Sequence, residues 1–117
     1  MAFKFENLKV WQRAVDLTGE ISELTSKFPK KEMFILTSQL QRAADSIALN
    51  IAEGSTGQTN PEFRRFLSFD LRSAIEVVCG LYIAKRRKLI NEEQFDYFYG
   101  FLTELIKSIQ ALKNSIK

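Results

Sequence analysis

The sequence predicts an all-α fold, an antiparallel up-down four-helix bundle of left-handed twist, as a single domain over residues 1–117. Phe95, Phe98, Leu102, Leu105, Ile109, Leu112 and Ile116 recur at spacings of three and four, which places seven apolar side chains on one helix face. Stripes of the same rhythm recur in three earlier segments, so four helices share one seam. A chain of 117 residues supports one core and not two.

The first helix is expected over about 8–27. Val10, Ala14, Leu17, Ile21, Leu24 and Phe28 form its stripe, widened by Leu8, Trp11 and Val15, and Pro29 disfavours helical geometry at Phe28. The second, over about 32–53 after a charged turn, is carried by Leu36, Leu40, Ala43, Ala44, Ile47 and Ile51, with Gly54 as the left-handed residue that closes it. Residues 55–60 read as a polar loop. Asn60-Pro61-Glu62 then supplies a cap, a first-turn proline and an acid near the positive end of a third helix over about 61–87. Leu67, Leu71, Ala74, Val78 and Leu81 are its expected inner stripe. Asn91 with Gln94 is a capping box opening the fourth helix, about 92–116. The connection from Leu89 to Asn91 is short, which makes the third and fourth helices antiparallel neighbours.

Composition excludes more function classes than it admits. The chain has no histidine, the commonest general base and metal ligand, and one cysteine, Cys79, too few for a thiolate–imidazole pair or a zinc site. Gly54-Ser55-Thr56-Gly57 lacks the ending of a phosphate-binding loop. The expectation is therefore a protein without catalytic residues, cofactor or metal; any catalysis would have to use Arg42, Glu53 and Glu76. The lone cysteine fits a reducing compartment, the N-terminal residues show no apolar signal core, and no stretch is long enough to span a bilayer. A cytoplasmic protein without a membrane partner is expected.

Three surface features remain. Gln39, Arg42, Ser46, Asn50 and Glu53 share one flank of the second helix, either as a solvated face or, with Glu76, as a polar seam between helices or subunits. Glu53 stands at a helix C-terminus, where a carboxylate is disfavoured without a neighbouring cation. Tyr97, Tyr99, Phe101 and Ile106 on the fourth helix and Phe66, Phe69 and Ile83 on the third exceed one core stripe, which points to identical copies as partners or to a thicker core. Seventeen Lys and Arg against fourteen Asp and Glu leave a net charge of +3. Arg65, Arg72 and Arg86 fall at intervals of seven and fourteen residues beside Arg64, and Lys85, Arg86, Arg87 and Lys88 form the densest basic run. That set either tracks a phosphate backbone or serves the helix dipole and solubility.

The run Leu36-Thr37-Ser38-Gln39-Leu40-Gln41-Arg42-Ala43-Ala44-Asp45-Ser46-Ile47, continued by Asn50-Ile51-Ala52-Glu53-Gly54, strongly resembles the bacterial four-helix-bundle proteins named after 23S rRNA intervening sequences. Leu8-Lys9-Val10-Trp11 with Ala14, Phe28-Pro29 with Glu32, Glu62-Phe63 with Arg65-Phe66-Leu67, and Ser73 and Glu76 extend the similarity over nearly the whole chain. The resemblance implies a ring-like homopentamer with no established enzymatic activity. It extends to the accessory proteins of diversity-generating retroelements, basic pentameric barrels that engage nucleic acid and a reverse transcriptase. Departures are Phe34 and Ile35 for a common tyrosine and glycine, Ala48 for a proline, Asp70-Leu71-Arg72-Ser73 for an Ala-Leu-Gly-Ser stretch, and Gln58 for a loop arginine. The functional expectation is a homo-oligomer associated with RNA or DNA through Arg64, Arg65, Arg72 and Lys85 to Lys88. The alternative is a scaffold whose ring holds another protein.

Overall fold

The computed structural model describes residues 3–57 and 59–117; the loop position Gln58 and the first two residues lie outside them. Four helices, α1 (Lys9–Thr25), α2 (Ser38–Gly54), α3 (Asn60–Arg86) and α4 (Glu92–Ser115), form an all-α antiparallel four-helix bundle 43 Å long. Neighbours in sequence pack side by side, α2 against α3 most extensively, and α1 closes the ring on α4 most loosely. A short 3-10 turn, Lys4–Asn7, precedes α1, and Phe5 packs edge-on against Trp11.

In α1 and α2 the three-four stripe is the one expected: Val10, Ala14, Leu17, Ile21, Leu24 and Phe28, then Leu36, Leu40, Ala43, Ala44, Ile47 and Ile51, are all buried. Of the residues expected to widen the α1 stripe, Leu8 and Trp11 are half-buried and Val15 is exposed. Helix α1 stops two residues earlier than expected, because Pro29 bars helical geometry at Phe28 and the chain turns to bury that ring. Helix α2 starts later than expected. A 3-10 turn at Lys30–Glu32 runs into a π turn at Met33–Thr37. Such a turn takes one residue more per hydrogen bond than an α turn. Leu36 stays inside while Met33, Phe34 and Ile35 stand in solvent.

The α2–α3 connection corrects the reading of Gly54. It keeps helical geometry; the left-handed residue is Gly57, at φ +90°. Gly54 is needed for close approach, since a Cβ there would lie 2.8 Å from the Cβ of Phe66 and 3.0 Å from the ring of Phe63. The cap of α3 is Thr59, whose hydroxyl accepts the Glu62 N–H, and Asn60 instead donates to the Lys117 carbonyl. Asn91 and Gln94 form the expected capping box of α4. Helix α3 ends with Lys88 in left-handed geometry at φ +62°, the Leu89 N–H bonded to the Ala84 carbonyl and the Lys88 N–H to that of Lys85. This is the helix stop usually built on glycine, and a side-chain-bearing residue there costs about 1–2 kcal/mol.

The inner face of α3 differs from the expected one. Phe63, Leu67, Asp70, Ala74, Val77, Leu81 and Ala84 are buried, while Leu71 and Val78 are half-buried flanks. In α4, Phe95, Phe98, Leu102, Leu105 and Ile109 are inside as expected, joined by Phe101, while Leu112 and Ile116 are half-buried.

Two glycine substitutions should move stability in opposite directions. Gly19 is exposed within α1 with nothing near its missing side chain, so Gly19→Ala should add about 0.5–1 kcal/mol. Gly54→Ala gains the same propensity but must push Phe66 aside, a cost of about 1–3 kcal/mol. Urea titration of both variants checks the signs.

Candidate interfaces on helices two and three

The seven cations singled out in the sequence divide by their place on α3. Arg64 faces α4 and donates to the Lys113 carbonyl and, at 3.0 Å, to that of Ile116, so it caps the last turn of that helix. Lys85 also faces α4, 3.0 Å from Glu92 and 4.5 Å from the centre of the Phe95 ring. Arg87 binds Glu32 at 3.1 Å and ties the end of α3 to the turn before α2. Arg65 lies on the outer face, 3.7 Å from Glu62 and 5.7 Å over the Phe69 ring. Arg72, Arg86 and Lys88 are exposed and make no ion pair among the described residues. Arg65, Arg72 and Arg86 thus form one outward stripe, with Lys88 and Arg87 at its end.

The polar flank of α2 runs beside α3. Gln39 donates to the Glu76 carboxylate, the one hydrogen bond among the described residues that joins two members of the proposed seam. Ser46 and Asn50 are half-buried, and Arg42 and Glu53 are exposed without an ion pair among the described residues. Leu49 falls on the same flank and is exposed, as is Ile35 on the π turn that leads into α2.

Part of the apolar surplus is absorbed by the protomer. Phe101 is buried, with the Arg13 guanidinium 4.1 Å from its ring centre, and Phe66, Phe69 and Ile106 are half-buried. Tyr97 donates to Glu20, and that hydrogen bond raises its pKa. Tyr99 packs against Tyr82 and Phe95. Ile35, Leu49, Ile75, Tyr82, Ile83, Tyr97 and Tyr99 stay exposed. Two cavities of about 420 and 380 Å³ open between α1 and α4. Glu20, Glu23, Glu93 and Lys27 stand around the first, and Lys9, Arg13 and Glu104 beside the second.

The residue that sequence reasoning missed is Asp70. It is wholly buried, and neither carboxylate oxygen has a hydrogen-bond partner among the described residues. Burial pushes its pKa up to about 9, so it is neutral at physiological pH. The signal was present: counting four and three from Phe63 reaches 67, 70, 74, 77, 81 and 84, but apolar Leu71 and Val78 drew the stripe one residue away. Among the described residues no group of three or more His, Cys, Asp or Glu is placed to hold a metal, and no helix is long and apolar enough to cross a membrane.

Fold and surface together define a four-helix-bundle protein with an arginine-bearing outer helix and a polar helix flank. The chain belongs to the 23S rRNA-intervening sequence protein family, whose sequence model matches residues 6–111. A comparison with curated proteins finds no match. Among solved structures, the bundle is similar to a protein of unknown function from the S23 ribosomal protein family of Bacteroides thetaiotaomicron. The TM-score is 0.83 at 24% identity, over 90% of this chain and 95% of that one. That likeness establishes the fold.

Asp70 gives the stability a pH dependence of known sign. An unfolded aspartate ionises near pH 4, whereas the buried one keeps its proton to about 9. Between those values the folded state binds the extra proton, so stability falls as pH rises, by an amount on the order of 4 kcal/mol at pH 7. Asp70→Ala should raise stability at pH 7 and flatten the profile between pH 4 and 9. Urea melts across that range check it, and an unchanged slope would refute the assignment.

Proposed function

We propose that the protein is a non-enzymatic homo-oligomer that associates with RNA through the outer face of α3. The observation that supports this most is the alignment of Arg65, Arg72 and Arg86 on one exposed helix face, with Arg72 and Arg86 free of ion pairs among the described residues. Three cations directed outward within an arc of about 60° can neutralise phosphates of a passing backbone, and little sequence selectivity follows from such contacts. The family's name, which ties it to insertions in 23S ribosomal RNA, favours RNA as the polyanion. The lone cysteine and the absence of histidine fit a cytoplasmic, non-catalytic role.

Oligomerisation is supported by Leu49, exposed on the same α2 stripe as the unpaired Arg42 and Glu53, and by Ile35, exposed on the π turn that leads into the helix. A second copy seated there would cover the apolar residues and supply counter-charges to both ions. Five copies are proposed on the family resemblance, and each copy repeats the arginine stripe. A second reading, a scaffold that holds another protein, has its own support in the α1–α4 cavities and their glutamate-bearing rim.

Retention of a labelled RNA across a salt series tests the main reading. Binding should weaken steeply with salt, and Arg72→Gln and Arg86→Gln should each reduce the logarithmic salt slope by roughly 0.7–0.9, the share of one phosphate contact. Failure to retain any RNA at low salt, together with a nuclease-resistant protein partner in a pull-down, would favour the scaffold. Light scattering should give several times the 13.5 kDa of one chain, and Arg42→Glu with Leu49→Glu should reduce it to that value.

A further inference from the structure

At one end of the bundle three consecutive apolar side chains face solvent amid cations. The up-down topology brings the end of α1, the turns before α2, the end of α3 and the start of α4 to this end, so exposed Glu23, Glu92 and Glu93 lie at it as well. Lys30 and Lys31 are exposed on the 3-10 turn, and Met33, Phe34 and Ile35 protrude from the π turn that follows. Phe34 is 89% exposed, the most solvent-exposed of the large apolar residues described. The 3.1 Å pair between Arg87 and Glu32 holds this turn against the end of α3, which carries the exposed Arg86 and Lys88.

Two features argue against incidental exposure. A phenylalanine left almost wholly in water contributes nothing to the core of its own chain, and its mate on the turn, Leu36, is the residue that does so. Lys88 keeps a long cationic side chain at a left-handed position where glycine would be unstrained, so the charge is held at the bundle end against local backbone preference.

We infer that this end is a binding site for single-stranded nucleic acid, with an unpaired base stacked on Phe34 and the adjoining phosphates held by Lys30, Lys31, Arg86 and Lys88. The inference rests on the RNA-binding reading above and deepens it, because it specifies unpaired over duplex nucleic acid. An exposed ring amid cations is the combination single-strand binding uses: every base has a face that stacks on an aromatic ring, and the backbone follows positive charge. A duplex presents no unpaired base to the ring. Past the end the next outward cation is Arg72, about 21 Å from Arg86 down the outer face of α3, with exposed Cys79 and Glu76 between them. A strand can follow that line, whereas a flat anionic membrane touching the tip cannot reach it, and this favours a polynucleotide over a lipid surface.

The test uses the full-length protein, a fluorescein-labelled 12-nucleotide oligo(U) and a blunt RNA duplex of equal length at low salt. Phe34→Ala should weaken oligo(U) binding at least about 5-fold, the low end of what one stacked base contributes, and leave duplex binding unchanged. Lys88→Gly should weaken oligo(U) binding while raising thermal stability, a pairing that loss of folding cannot produce. In Phe34→Trp, oligo(U) should quench the new indole, read against the half-buried Trp11 of the parent protein. Equal affinity of Phe34→Ala and the parent for oligo(U), with RNA still bound, overturns this inference and leaves the α3 reading standing. No binding of either RNA by the parent removes both. A blue shift with phosphatidylserine vesicles and no quenching by oligo(U) would reassign the tip to membranes. A change in oligomeric mass in Phe34→Ala would reassign it to a contact between copies.

Discussion

Helices α2 and α3 meet so closely that two glycines have no room for a methyl group. A Cβ on Gly54 would press on Phe66 at one end of the pair, and one on Gly80 would lie 2.5 Å from a methyl of the fully buried Leu40 near the other. Two close contacts near opposite ends leave α3 neither axial slip nor rotation against α2. The remaining surface follows from that register. With Phe63, Leu67, Ala74, Val77 and Leu81 turned inward, residues 65, 72 and 86 must point outward, and residue 76 must fall beside Gln39. The flanks of α3 then place Arg64 and Lys85 against α4, where each serves that helix and not the solvent.

The parts of the fold legible from sequence were those in which hydrophobicity and geometry agree. Every inner residue of α1 and α2 expected from the three-four rhythm is buried, and the Asn91–Gln94 box caps α4 as its residue types require. Helix α3 defeated the rhythm because its core position 70 is filled by an acid, while Leu71 and Val78 on the flank are apolar enough to imitate a core. Helix ends were less legible, since local hydrogen bonds compete there: Thr59 took the cap from Asn60, and a π turn replaced the first turn of α2. Of the candidate sites, the arginine azimuths were readable from spacing alone. The engagement of Arg64, Lys85 and Arg87 was not, because their partners lie 52, 7 and 55 residues away in the chain.

Asp70 illustrates how a perturbed acid need not be a functional one. A carboxyl with no hydrogen-bond partner and a pKa raised to about 9 has the electrostatic signature of many catalytic acids. Proton exchange with a substrate, however, needs geometric access, and both oxygens are sealed from solvent. Desolvation is the single cause of its shift, so no nearby charge is arranged to use the proton. The physical reading is a tolerated cost in a core otherwise rich in leucine and isoleucine.

The modest net charge of +3 conceals a segregation that bears on binding. Glu20, Glu23 and Glu93 gather with Lys27 where α1 meets α4, and Arg72, Arg86 and Lys88 stand without ion pairs among the described residues on the outer face and end of α3. Under the proposed function this asymmetry would orient a polyanion on arrival, although the protein as a whole attracts it weakly. A single protomer offers only a few free cations on this face, and so few phosphate contacts give weak binding at physiological salt. In the proposed assembly a neighbour on the α2 flank leaves the adjacent outer face of α3 at the rim of the contact, so each copy adds its stripe to the last. Linked weak sites on one particle bind a continuous strand far more tightly than any one of them. Under the proposed function, the short arginine row that is inadequate in isolation would gain by repetition, and the polar flank of α2 and the basic face of α3 would act together.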